Sequence, residues 1–275
     1  MYLKYYIVLT LIFVLIFLTL LNSFSFISNN ILFLTSNETA IFLKEDNDRY
    51  VQKMSDVDLY ARKSKSPSEY INKITRCATT FSDVEKAKLS RCSQKADEFL
   101  KSHKYNNTID CKEIAKLKWK FALTQKNGTF EYEEGLPHTR SDVIFLSRYT
   151  INEDIARNTN DNVLTSTLIH EKVHIFQRYN NKLMSDMMKK TYTVATQINE
   201  KELKWKRCNP DTDDKNYYNN TNNELMLFMY TSSTPKGISD ISSKNYAIEH
   251  PYETMAYDIA NEFTKRKLFE LTNIM

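Results

Sequence analysis

The chain has 275 residues, 41% of them apolar, and its 38 basic side chains exceed its 34 acidic ones by only four. That apolar content can fill one substantial core, which excludes wholesale disorder. The weak positive charge, with no long basic block, gives no reason to expect a nucleic-acid partner.

The amino terminus is the first informative stretch. No charged residue stands between Lys4 and Glu38, and Tyr5 to Leu21 is almost continuously apolar, with the run extending through Phe24 to Ile27. About 20 apolar residues cross the hydrocarbon core, so residues 1–34 read as a transmembrane signal anchor; a cleaved signal peptide is the alternative. Lys4 before the span favours a single-pass topology with the body lumenal or extracellular. Sequons at Asn37, Asn106, Asn127 and Asn219 would make it a glycoprotein on that side. The four cysteines, Cys77, Cys92, Cys111 and Cys208, form no C-x-x-C pair and suit disulfides better than a metal site, with Cys77 and Cys92 able to staple two helices.

Residues 35–66 are polar and charged and read as a stalk. From 67 to 125, apolar residues at three- and four-residue spacing, from Tyr70 and Ile71 to Phe121 and Leu123, predict helices with one buried face. Residues 126–150 read as strands: Thr129 to Tyr132 after the Asn127-Gly128 turn, then Val143 to Leu146, which is expected to align an extended substrate. A helix is predicted over 163–180, capped by Asn160 or Asp161, with further helices at about 182–206 and 251–271.

The 163–180 helix carries the chemistry. His170 and His174 stand one turn apart on its polar sector, so both imidazoles can reach one ion, while Glu171 projects beside it as a general base. This is the complete H-E-x-x-H pattern for one Zn2+ ion. Gln177 and Asn180 stand where a metzincin has Gly and His, so the third ligand lies elsewhere. The segment from Glu249 to Asp258 offers Glu249, His250 and Glu253; Pro251 suits a first helical turn and places Glu253 within it. Ala256 and Ala260 would let that helix pack closely on the metal-site helix. Tyr257, Tyr252, His250 and His138 are possible donors to an oxyanion.

Taken together, residues 168–178 and 250–257 resemble the gluzincins, the zincin metallopeptidases whose zinc is held by two histidines of H-E-x-x-H and a glutamate of a later helix. They are also similar to uncharacterised minimal metallopeptidase-like proteins, some of them encoded by large DNA viruses. The resemblance implies His170, His174 and Glu253 as zinc ligands and Glu171 as catalytic base; Tyr257 and His250 are further catalytic candidates as oxyanion donors. It implies an α+β fold: a predominantly helical zincin-like domain over 67–275, with a small sheet beside the active-site helix. The expected function is a membrane-anchored zinc metallopeptidase acting on a peptide or protein; the alternative is a non-catalytic structural or adhesion protein that keeps the fold.

Overall fold

A computed structural model describes residues 30–272, apart from 107, 158–160, 197, 199–202, 213–215 and 243–247. The expected membrane span lies outside the described residues; among those described, no helix is long and apolar enough to cross a membrane.

The fold is mixed α and β, with one five-stranded sheet at its centre. Its strands are β1 (Ile31–Phe33), β2 (Ala78–Thr79), β3 (Trp119–Thr124), β4 (His138–Arg140) and β5 (Val143–Ser147). The order is β1-β3-β5-β4, with β2 also paired to β3; β1, β3 and β5 run parallel, and β4 is antiparallel to β5. Helices cover both faces. They are α1 (Ser36–Glu45), α2 (Asp56–Ala61), α3 (Pro67–Thr75), α4 (Asp83–Ser102), the single turn α5 (Lys112–Ala115), α6 (Arg148–Arg157), α7 (Asn162–Tyr179), α8 (Asn181–Met188) and α9 (Pro251–Thr272).

Strand alternation sorts the core into two layers. Phe121, Leu123, Ile144 and Leu146 pack with Leu89 and Ala96 of α4, Leu168 and Val173 of α7, and Met255 and Ile259 of α9. Ala122, Val143 and Phe145 face the other way, onto Leu43 of α1 and Tyr70 and Ile74 of α3. Burial on both faces explains why β5 reads as an unbroken apolar run.

Several expectations need correction. Residues 35–66 are not a stalk: α1 starts from a Thr35–Glu38 capping box, and Leu43, Tyr50, Val51 and Leu59 are core residues. Residues 31–34 likewise belong to the domain, because β1 is a strand of the sheet. Within 67–125, Trp119 to Thr124 is a strand; Trp119, Phe121 and Leu123 follow a two-residue period on one face. Thr129 to Tyr132 is not a strand. The Asn127-Gly128 turn closes onto Phe130, and a 3-10 turn follows at Tyr132–Gly135, with positive φ at Glu133 and Glu134. Val143 to Leu146 is β5, but it lies between β3 and β4 with both edges paired, so no substrate can align on it. The helix expected over 182–206 ends at Met188, and the β-favouring Thr193 and Val194 pair instead with Tyr218 and Asn219. The polar stretch after β5 contains α6.

The cysteines are buried thiols rather than disulfide-bridged. Cys92 and Cys111 sit in the layer of α4, α7 and α9, whereas Cys77 and Cys208 lie in the opposite layer, so the sheet separates the expected Cys77–Cys92 pair. Burial pushes the Cys77, Cys92 and Cys111 thiols up to about 11.

Candidate metal centre

α7 begins at Asp161, a left-handed residue at φ 65° whose side chain does not cap the helix. Its carboxylate instead receives Lys88 at 2.6 Å and Lys95 at 3.3 Å, fixing the start of α7 to the flank of α4. Farther along, Lys172 points into the core, donates to Asp97 at 2.6 Å and lies 4.0 Å from the centre of the Trp119 ring. The opposite side of the same turn therefore presents His170, Glu171 and His174 toward α9.

α9 starts at Pro251, and its third residue is Glu253. Ala256 and Ala260 are buried, and Ser166 of α7 donates to the Ala260 carbonyl at 3.3 Å, so the two helices lie close at this level. Glu253 Oε2 is 3.2 Å from His170 Nε2 and 3.4 Å from His174 Nε2, and the two Nε2 atoms are 3.0 Å apart. Tetrahedral zinc with bonds of about 2.0–2.1 Å separates its ligand atoms by about 3.3–3.4 Å. Three atoms already spaced near that edge fit one ion, and His170, His174 and Glu253 are the group that could hold it among the described residues.

Each of two ligands has its own support. Gln177 Oε1 accepts from His174 Nδ1 at 2.9 Å, which leaves the Nε2 lone pair directed at the trio; Gln177 Nε2 in turn donates to the Tyr252 carbonyl at 3.0 Å. Asn209 Nδ2 donates to Glu253 Oε1 at 2.9 Å, leaving Oε2 for the histidines. The same amide donates to Glu249 Oε1 at 2.5 Å, and Glu249 is ion-paired with Arg207. His170 Nδ1 has no such partner.

The electrostatics follow from packing three carboxylates around two imidazoles. Burial works against a charged His174, but Glu253, Asp211 and Glu171 outweigh it and take its pKa up to about 9. Burial likewise opposes the Glu253 carboxylate, yet the adjacent His174 and His170 hold it well below the usual range. Glu171 is raised well above that range, first by burial and then by Asp211.

The trio opens onto a cavity of about 470 Å³ whose lining includes His138, His170, Glu171, Asp211, Glu253 and Tyr257. The Tyr257 ring lies 4.5 Å from that of His170 and is half exposed, so its hydroxyl can serve a ligand. His138 donates through Nδ1 to the Leu136 carbonyl at 2.9 Å and stacks on Phe145, which leaves buried Nε2 as an acceptor rather than a donor. Tyr252 is buried in the core. His250 turns away: its Nδ1 accepts from the Tyr252 amide at 3.1 Å and its Nε2 donates to the Asn216 carbonyl at 2.9 Å. Its ring orders the start of α9, and the catalytic role expected for it has no geometric basis here.

Gln177, Asn209 and Asp211 were not expected at the site. Gln177 shares the polar sector of α7 with the histidines, a readable signal; Asn209 and Asp211 lie in a segment between the predicted helices and carry none. Comparison with known protein families, with curated proteins and with solved structures gives no match.

Proposed function

We propose that the chain is a zinc-dependent peptide-bond hydrolase of gluzincin type, attached to a membrane through its apolar amino-terminal segment. The observation that carries the reading is the His170–His174–Glu253 triangle, with sides of 3.0, 3.2 and 3.4 Å. A bound zinc ion would supply Lewis acidity to a scissile carbonyl and to the attacking water.

The chain's own groups do the rest. Glu171, next to His170 and without a partner on Oε2, takes the proton from the attacking water and returns it to the departing amine, so that water and amide become carboxylic acid and amine. Burial and Asp211 raise its pKa, and positive charge at the trio favours the carboxylate the base step needs. Tyr257 donates its O–H to the oxygen that becomes negative.

Zinc content and peptide cleavage, measured together, test the assignment. Glu171→Gln should keep one equivalent of zinc and lose cleavage by about 100-fold or more. His174→Ala should lose both. A Glu171→Gln protein that cleaves at the wild-type rate would sink the mechanism, and zinc without turnover in the wild type would leave the non-catalytic alternative.

A further inference from the structure

A free strand edge is a general means of holding an extended peptide, because the ligand joins the sheet through its main chain. The edge beside this cavity is β4, the last strand of the sheet, with His138 on the cavity wall. Its outward groups are already taken. The Thr139 amide donates to Asp211 Oδ1 at 2.8 Å, and the Thr139 carbonyl accepts from Arg178 at 3.0 Å. The Ser141 carbonyl accepts from the same guanidinium at 3.1 Å, and Pro137 has no amide to offer. Arg178 also donates to the Pro210 carbonyl at 2.7 Å, so the 209–211 segment is fastened along β4 where an added strand would lie.

We propose that the site takes short or chain-terminal substrates inserted end-on into the cavity. The Arg178–Asp211 clamp on β4 is then the specificity element that turns away internal segments of long extended chains. Asp211 reproduces the carbonyl, and Arg178 the amide, of the neighbour β4 would otherwise recruit. The cavity, at about 470 Å³, falls in the lower half of the range for small-ligand sites, about 300–1,000 Å³. The inference rests on the hydrolase reading above.

A ladder of peptide hydroxamates, from the amino-acid derivative to the hexapeptide, tests it by affinity and needs no turnover. With the zinc-loaded full chain in calorimetry, the capping group and first residues should bind, and residues beyond the third should change Kd by less than about twofold. A rise of about tenfold or more between tripeptide and hexapeptide would show strand addition and overturn the proposal while leaving the metal site intact. Failure of every member to bind, capping group included, would remove the metal reading and this proposal with it. Arg178→Met frees the Thr139 and Ser141 carbonyls and should introduce length dependence; if that variant does not fold, the wild-type ladder decides alone.

Discussion

His174 and Glu253 are fixed by amides one step outside the trio, and the effect of removing those amides is measurable. Gln177→Leu frees His174 Nδ1–H from its 2.9 Å partner, and Asn209→Leu releases Glu253 Oε1. Each substitution should weaken zinc binding by about 10–100-fold in chelator competition, with little change in the unfolding midpoint of the metal-free protein. An unchanged affinity in both would show that helix packing alone aligns the ligands. A second residue-scale test concerns acid. Burial alone would raise the pKa of Glu133, but the Arg62 guanidinium, at 2.8 Å, outweighs it and holds the group down to about 2. A folded pKa below the ordinary value of 4.5 means stability present above pH 4.5 and lost as pH falls toward 2, on the order of 3 kcal/mol. Urea titrations across that window should show the loss, and Glu133→Gln should flatten it. At this scale the sequence was readable where function follows from spacing: His170, Glu171 and His174 are neighbours on one turn. Asn209 reaches Glu253 only through the tertiary fold, and no local pattern announces such a contact.

At the scale of elements, α7 is held from behind by a buried cation. Lys172 is fully buried, with Asp97, the Ala115 carbonyl and the Trp119 ring as its surroundings, and burial draws its pKa down to about 8. Asp97→Ala leaves that ammonium unpaired and should cost about 3–5 kcal/mol in chemical denaturation. The paired change Lys172→Met with Asp97→Leu should recover most of it; a single mutant as stable as wild type would show that the pair is not what seats the helix. α7 and the start of α9 are legible in sequence because the helical period, a long run free of Gly and Pro, and Pro251 agree with one another. β3 is not, since Trp119, Phe121 and Leu123 also fit into a longer helical spacing until the two-residue period is separated from it. His250 shows the limit from the other side: a histidine beside a metal-site motif looks chemical, yet here both ring nitrogens are used by backbone.

For the whole molecule, the main departure from the sequence reading is that the domain includes β1 and the residues from 31 to 66, and does not begin at 67. Leu43, Tyr50 and Val51 complete one face of the sheet, and Arg62 joins the buried Asp58–Glu133 network. A version starting at Asn30 should therefore unfold cooperatively. One starting at Pro67 should be insoluble or lack a thermal transition; a stable, zinc-binding 67–275 fragment would contradict the packing described above. A polar composition conceals this role, because α1 buries only the residues on its inner side.

The parallel pairing of β1 with β3, Ile31 beside Trp119 and Phe33 beside Phe121, also sets a timetable. On the ribosome β1 emerges first and waits for its partner strand while chain is added at about 5–20 residues per second, a delay of several seconds. Closing so long a loop is slow, and until then Ile31, Leu32 and Phe33 are bare apolar chain next to another apolar run. Synthesis thus passes through a prolonged sticky stage, in which capture by a chaperone or a membrane surface competes with completion of the sheet.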